Sequence, residues 1–262
     1  MAESNRTIIG IFVALLVVVL GAVGWWWLSR DDGREPVAVV STPTPAPAPT
    51  PTPKLEERLS SRLQGTTLDT SDAVIRELVA GLSSNPKLAA WLVNEDLVRR
   101  FVAAVNNIAD GVSPRSQLEF LRPKQAFKVK DLGEGVFVID PASYRRYDLV
   151  AEVFDSLDTA GTAALYRELK PLIDDAYAEI GAPGTTFDQR LNAAFDQLLA
   201  VPIVEDPQEV NPLIVTYQWR DESLESLSGV QRHLLRMGPE NVATIQHKLG
   251  ELRAAIAATN QQ

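Results

Sequence analysis

The 262-residue chain contains no cysteine. That excludes disulfides, thiolate metal sites, a cysteine nucleophile and lipid attachment through sulfur. Imidazole is nearly as scarce. His233 and His247 are the two histidines, and no G-x-S-x-G precedes either, so a Ser-His-Asp site has little to build on. H-E-x-x-H, the Walker loop and G-x-G-x-x-G are missing as well. Basic charge is in deficit: the net charge is −9, and three of the 25 Lys+Arg and four of the 34 Asp+Glu precede Lys54, leaving −8 on the rest. Phosphate backbones require a basic footprint, so nucleic acid is excluded as a partner. Acidity itself is explained by solubility.

A long apolar run is present. Ile8 to Leu28 is 21 residues without a charge. At 1.5 Å per residue it covers roughly 30 Å, the thickness of a bilayer core. Trp25, Trp26 and Trp27 close it, as indoles do at the headgroup interface, and Arg30, Asp31 and Asp32 follow. The run exceeds a signal-peptide h-region and no small-x-small cleavage site follows. The expectation is an uncleaved transmembrane helix with membrane lipid as its partner. Arg6 lies before the run and Arg30 and Arg34 after it. That one-residue bias opposes an outward C-terminus.

Thr42 to Pro53 reads TPTPAPAPTPTP. Each proline fixes its own φ and drives the preceding residue to extended geometry. The segment is a semi-rigid spacer of about 3.1 Å per residue, on the order of 35 Å in all. A spacer after a span suits a domain reaching across an envelope gap. The chain is therefore placed in a bacterial inner membrane, single-pass, with a periplasmic domain and an envelope protein or cell-wall component as its partner. The organisation expected is a tail at 1–7, the span at 8–28, a disordered Pro-rich tether at 29–53, a lead-in segment at 54–70 and a soluble domain at 71–258.

The domain reads as mostly α, helical-bundle-like. Leu55, Leu59 and Leu63 predict a short amphipathic lead-in helix. Asn85-Pro86 and Asp140-Pro141 read as a cap followed by proline at the first helical position. Leu97, Phe101, Val105 and Ile108 form a helical stripe that Gly111 ends. Asp158 caps a long helix that Pro171 is expected to kink or split. Thr186 and Gln189 form a capping box. Val242, Ile245, Leu249, Leu252 and Ile256 form a seam too short for a free coiled coil, so it packs on its own domain. Phe127–Lys130 and Val136–Ile139 flank the turn Asp131–Gly135 and predict a β-hairpin. Leu213–Trp219 reads as a third short strand or a buried extended segment.

Carboxylates crowd one helix at Asp174, Asp175 and Glu179. They could form an acid/base pair, but solvated acidic faces are ordinary. His247 falls off the apolar seam and is expected at the surface. Two clusters are more specific. In Asp140-Pro-Ala-Ser-Tyr144-Arg145-Arg146-Tyr147-Asp148, tyrosines bracket paired arginines, a set that binds sugars or carboxylates unless it is spent on packing. In Leu235-Arg236-Met237-Gly238-Pro239-Glu240-Asn241, a tight helical hairpin accounts for Gly238, Pro239 and Glu240. It does not account for Arg236 or Asn241. The candidate binding residues are Arg122, Tyr144, Arg145, Tyr147, Arg236 and Asn241. No catalytic residue, metal ligand or cofactor is assigned.

The stretches SDAVIREL (Ser71 to Leu78), WLVNEDLVRRFV (Trp91 to Val102), FLRP (Phe120 to Pro123), IDPASYRRYD (Ile139 to Asp148) and LLRMGPEN (Leu234 to Asn241) resemble the bacterial domain-of-unknown-function family 3014. The resemblance runs from about Asp69 to Ile256. It implies a bacterial source and a single domain, and it carries over no catalytic residue. Two functions are consistent with the sequence: a non-enzymatic binding or scaffold module, and a carboxylate/Tyr/Arg enzyme acting on wall glycans or peptides.

Overall fold

Helical periodicity sets the scaffold. The computed structural model describes residues 55–205 and 207–259; the expected span 8–28 and tether 29–53 lie outside them. Among the described residues no helix is long and apolar enough to cross a membrane. The helices are α1 (Leu55–Leu63), α2 (Asp72–Val79), α3 (Pro86–Trp91), α4 (Leu97–Ala109), α5 (Asp148–Asp155), α6 (Thr159–Ile180), α7 (Phe187–Leu199), α8 (Glu222–Glu225), α9 (Gly229–Leu235) and α10 (Pro239–Thr259).

The predicted stripe on α4 is fully buried, and Val98, Val102 and Ala104 join it. A helix apolar over so wide an arc is enclosed by neighbours; α4 packs on α6 and α7. Phe187 links the three. Its ring lies 5.5 Å from Phe101 and 5.9 Å from Tyr177, and its side chain is wholly buried. On α10, Val242, Ile245, Leu249 and Leu252 are buried against α5, α6 and α7, so the seam does pack on its own domain. α1 forms as expected, buries Leu59 and lies along α6.

The helix ends follow side-chain chemistry. Asn85, Asp140 and Asp158 each accept the backbone N–H two residues on. Thr186–Gln189 is a reciprocal capping box, and Ser228–Gln231 is a second. α4 is capped from outside: Asp96 sits at φ 57, and the Asp72 carboxylate accepts from Asp96 N at 2.7 Å and Leu97 N at 2.9 Å. α6 runs unbroken through Pro171, so of the two expected outcomes, a kink or a split, the split does not occur. Leu169 before it, and Leu172 and Ile173 after it, are all buried. Packing on both sides outweighs one missing N–H.

The sheet is larger than the expected hairpin. β1 (Val129–Asp131), β2 (Phe137–Ile139), β3 (Glu209–Pro212) and β4 (Tyr217–Trp219) pair antiparallel in the order β1-β2-β3-β4. Val129 faces Ile139, Phe137 faces Val210, and Val210 faces Trp219. The expected strand Leu213–Trp219 is corrected. Its second half is β4, but Leu213–Thr216 is a turn closed by Leu213 N donating to Thr216 O at 2.7 Å. The first half pairs with nothing, because Glu209–Pro212 takes the position beside β4. This register brings the turns after β1 and β3 to the same end of the sheet. That end is aliphatic: Leu132, Leu213, Ile214 and Val215 are all exposed.

Gly238 joins α9 to α10 at φ +87, and a Cβ there would come within 2.4 Å of the Tyr144 ring. Left-handed backbone and overpacking both penalise a side chain. Gly238→Ala is expected to lower unfolding stability by about 2–4 kcal/mol. Gly133→Ala, at φ +89 with open space around it, is expected to cost about 1 kcal/mol. Urea denaturation of the two variants checks the difference.

Candidate functional site

Two successive 3-10 turns, Pro141–Ser143 and Arg145–Tyr147, lead into α5. Asp140 starts the first by accepting Ala142 N. Ser143, fully buried, pins this segment to the strand side: its hydroxyl accepts Lys128 N at 2.7 Å and donates to Lys128 O at 2.8 Å. Arg146 is thereby directed under Phe127. Its guanidinium lies 5.4 Å from the Phe127 ring and 5.3 Å from the Tyr147 ring. It donates to Ser143 O at 2.8 Å and Gln125 O at 3.1 Å.

Arg236, at the C-terminus of α9, enters from the other side. Its guanidinium stacks 4.4 Å from Trp219 and 5.8 Å from Phe127, and it donates to Tyr217 O at 2.7 Å. Phe127 and Tyr217 are in ring contact at 5.7 Å. Trp219 is fixed by Nε1 donating to Gln208 at 3.0 Å and by its backbone N–H donating to Glu225 at 2.9 Å. The product is an arginine–aromatic cluster in which two guanidiniums are held face-on to rings. Attraction of a cation to ring faces, about 0.5–2 kcal/mol per pair, offsets part of the desolvation cost.

Further charge lies beside the cluster. Arg115 meets His233 Nε2 at 2.5 Å. A guanidinium can only donate, so Nε2 accepts and the proton sits on Nδ1. His233 Nδ1 and Arg146 Nη2 are shielded from solvent and have no hydrogen-bond partner in the protein. Arg232 bonds to Glu225, and Arg122 to Glu119 at 2.9 Å. Burial lowers the pKa of Arg115 and Arg146, and lowers that of Arg236 to about 10; all three stay charged at neutral pH. Burial raises Tyr147 to about 12 although Arg146, Arg236 and Arg115 pull it down. His233 falls to about 3, through burial first and then through Arg115, Arg236 and Arg232. Positive charge is thus gathered in a chain whose net charge is −9.

Of the six candidate residues, Tyr147 and Arg236 belong to the cluster. Arg122 is near enough for its charge to act on Arg115. Tyr144 and Asn241 lie beneath. The Asn241 amide donates to Met237 O at 2.9 Å, Asp148 at 3.1 Å and Tyr144 O at 3.2 Å. Arg145 is exposed. Arg115, Arg146, Phe127, Trp219 and His233 were not among the candidates. Arg146 stood in the quoted motif beside Arg145, where sequence alone does not say which arginine turns inward. Arg115 lies in an unpatterned loop. Of the α6 carboxylates, Asp174 pairs with Lys170, Glu179 pairs with Arg99, and Asp175 is exposed. His247 is exposed, as expected.

The structure is that of a helical domain carrying a small four-stranded antiparallel sheet, with an arginine–aromatic cluster between the sheet, the 3-10 turns before α5 and the end of α9. A family model described as "Protein of unknown function (DUF3014)" matches residues 97–253. The chain belongs to this family. The match begins with α4 and includes every residue of the cluster, while the Ser71–Leu78 stretch lies before it. No curated protein and no solved structure matches the chain.

The His233 shift has a thermodynamic sign. Its folded pKa of about 3 lies below the ordinary 6.5, so the unfolded chain binds the extra proton between those values. Stability from this group is full above pH 6.5 and is lost as pH falls toward 3. His233→Gln keeps an acceptor for Arg115 and removes the titration. Between pH 6.5 and 4 the wild type is expected to lose more stability than the variant, as measured by denaturant midpoints across that range.

Proposed function

We propose that this chain is a single-pass, membrane-anchored bacterial envelope protein whose helical domain is a non-enzymatic recognition module, with the Arg146–Arg236 cluster as its binding surface. The observation that carries the reading is the titration state of the cluster. A general acid or base works best with a pKa near the operating pH. Here Tyr147 is held at about 12 and His233 at about 3. The arginines add fixed charge and oriented donors. Such a set holds a ligand without moving protons to or from it.

The anchor rests on the uncharged run Ile8–Leu28 with its tryptophan edge, and the stand-off on the proline repeat that follows. Together they put the cluster at a distance from the bilayer, in reach of envelope partners.

Two measurements test this. A topology reporter fused after Gln262 is expected to be active in the periplasm; cytoplasmic activity overturns the placement. A photocrosslinking residue at Gln125, which is exposed and bonded to Arg146, is expected to yield an adduct in cells. Arg236→Ala should abolish it. A crosslinker at exposed Lys87, on α3, serves as the background. Equal yield at both sites removes the cluster as a binding surface, and release of wall fragments by the purified chain overturns the non-enzymatic reading.

A further inference from the structure

The end of the sheet where both hairpins turn is apolar. Leu132, on the β1–β2 turn, and Leu213, Ile214 and Val215, on the β3–β4 turn, are exposed. From Val210 to Trp219 the second hairpin holds no charged residue, and the charges that bound it, Glu209 and Arg220, pair with each other at 2.8 Å. Its tip is also the more prominent. Asp131, Phe137 and Val210 are level across the strands; Leu132 lies one residue beyond that level and Leu213 three. At about 3.3 Å per residue, the second tip stands roughly 7 Å farther out. Both turns are closed by hydrogen bonds: Leu132 N donates to Val136 O at 2.9 Å, and Leu213 N to Thr216 O at 2.7 Å. The aliphatic side chains are thus displayed by built turns rather than by slack chain.

We infer that the β3–β4 hairpin tip dips into the bilayer that anchors the chain, with Leu132 beside it at headgroup level. This rests on the membrane anchor proposed above. Residues 29–54 alone separate the run Ile8–Leu28 from α1, which confines the domain to a small volume over the lipid. Confinement of that kind converts a weak contact into an occupied one. The shape favours lipid over protein. A stable protein interface buries roughly 800 Å² on each partner, and four aliphatic side chains on two projecting turns offer less. A bilayer interface needs no complementary surface, and it takes in apolar side chains to a depth of about 5–10 Å, the reach of a single hairpin tip. Few backbone donors are carried in with them, since Pro212 has no N–H and Leu213 N is bonded. The contact is apolar rather than electrostatic. Asp131 and Glu134 flank Leu132, and the chain is acidic as a whole, so anionic lipid gives it no help. Trp219 is level with Val210, roughly 13 Å below Ile214, which leaves the arginine–aromatic cluster clear of the hydrocarbon.

The test uses the full chain in phosphatidylcholine vesicles. Because the sequence has no cysteine, one introduced cysteine carries one nitrobenzoxadiazole label. Ile214→Cys is expected to emit to the blue of Val93→Cys, whose site is exposed on the loop after α3. It is also expected to lose most of its emission when a spin-labelled phosphatidylcholine is added. Leu132→Cys should lose less, and Val93→Cys none. Adding Ile214→Asp should restore the emission at Leu132→Cys; Ile214 is exposed, so that change leaves the fold intact. A label at Val17→Cys reports the anchor separately. Quenching at Val17→Cys without quenching at Ile214→Cys overturns the inference and leaves the anchor standing; emission retained at both removes both. Equal quenching at Val93→Cys and Ile214→Cys overturns it too, as does unchanged quenching at Leu132→Cys in the Ile214→Asp chain. A blue shift at Ile214→Cys that spin-labelled lipid does not quench, and that fades on dilution of the chain, assigns the tip to a second copy and overturns the lipid contact.

Discussion

A single carboxamide holds together the segments that carry the arginine–aromatic cluster. Asn241, on the first turn of α10, has two N–H protons and shares them among Met237 O, Asp148 and Tyr144 O. Its neighbour Gly238 lets the Tyr144 ring lie against the α9–α10 turn, where any Cβ would collide. These contacts fix the Tyr144–Asp148 segment relative to the end of α9. Arg146 and Tyr147 come from the first of these and Arg236 from the second, so their spacing is set by a contact that belongs to neither arginine. A buried amide that loses its partners costs about 1–3 kcal/mol, and here it would also release the geometry.

The cluster shows how a protein keeps arginine charged out of water. Depressed pKa values at Arg146 and Arg236 report a desolvation cost. Ring faces on Phe127, Tyr147 and Trp219, with carbonyls at the guanidinium edges, offset it. Contrast Arg99, which bonds Asp69, Asp96 and Glu179 in an exposed cluster. That arrangement is an ordinary surface clamp, screened by solvent and of small net worth. There one arginine meets three carboxylates; around Arg146 and Arg236 the guanidiniums outnumber the carboxylates.

Much of the helical scaffold was legible in the sequence because its signals are local. The stripe on α4, the capping box at Thr186 and the seam on α10 each need fewer than 20 residues of context. The sheet was half legible. β1 and β2 flank a turn whose Gly133, Glu134 and Gly135 all take positive φ. β3 is Glu-Val-Asn-Pro, too polar and too proline-bound to read as a strand. Its pairing with β2 spans α5, α6 and α7, which no pattern in the chain encodes. The aliphatic Leu213–Val215 misled for the same reason, since apolar character does not say whether a partner exists. At the site, counting caps correctly left Arg236 and Asn241 unexplained, yet they do different things: one belongs to the cluster and the other braces it. Convergence of loop 112–118, the 3-10 turns and α9 is a tertiary fact.

The lead-in helix α1 has a mechanical consequence. Residue 55 is where tension on a tether would enter the described domain. α1 is held by Leu59 against α6 and by an exposed Arg62–Glu77 pair with α2. Buried Leu59, half-buried Leu63 and one surface pair are together worth only a few kcal/mol. The arginine–aromatic cluster is built from residues farther along the chain, between Arg115 and Arg236. Load applied from the N-terminal side would release α1 before it strained the segments that carry Arg115, Arg146 and Arg236.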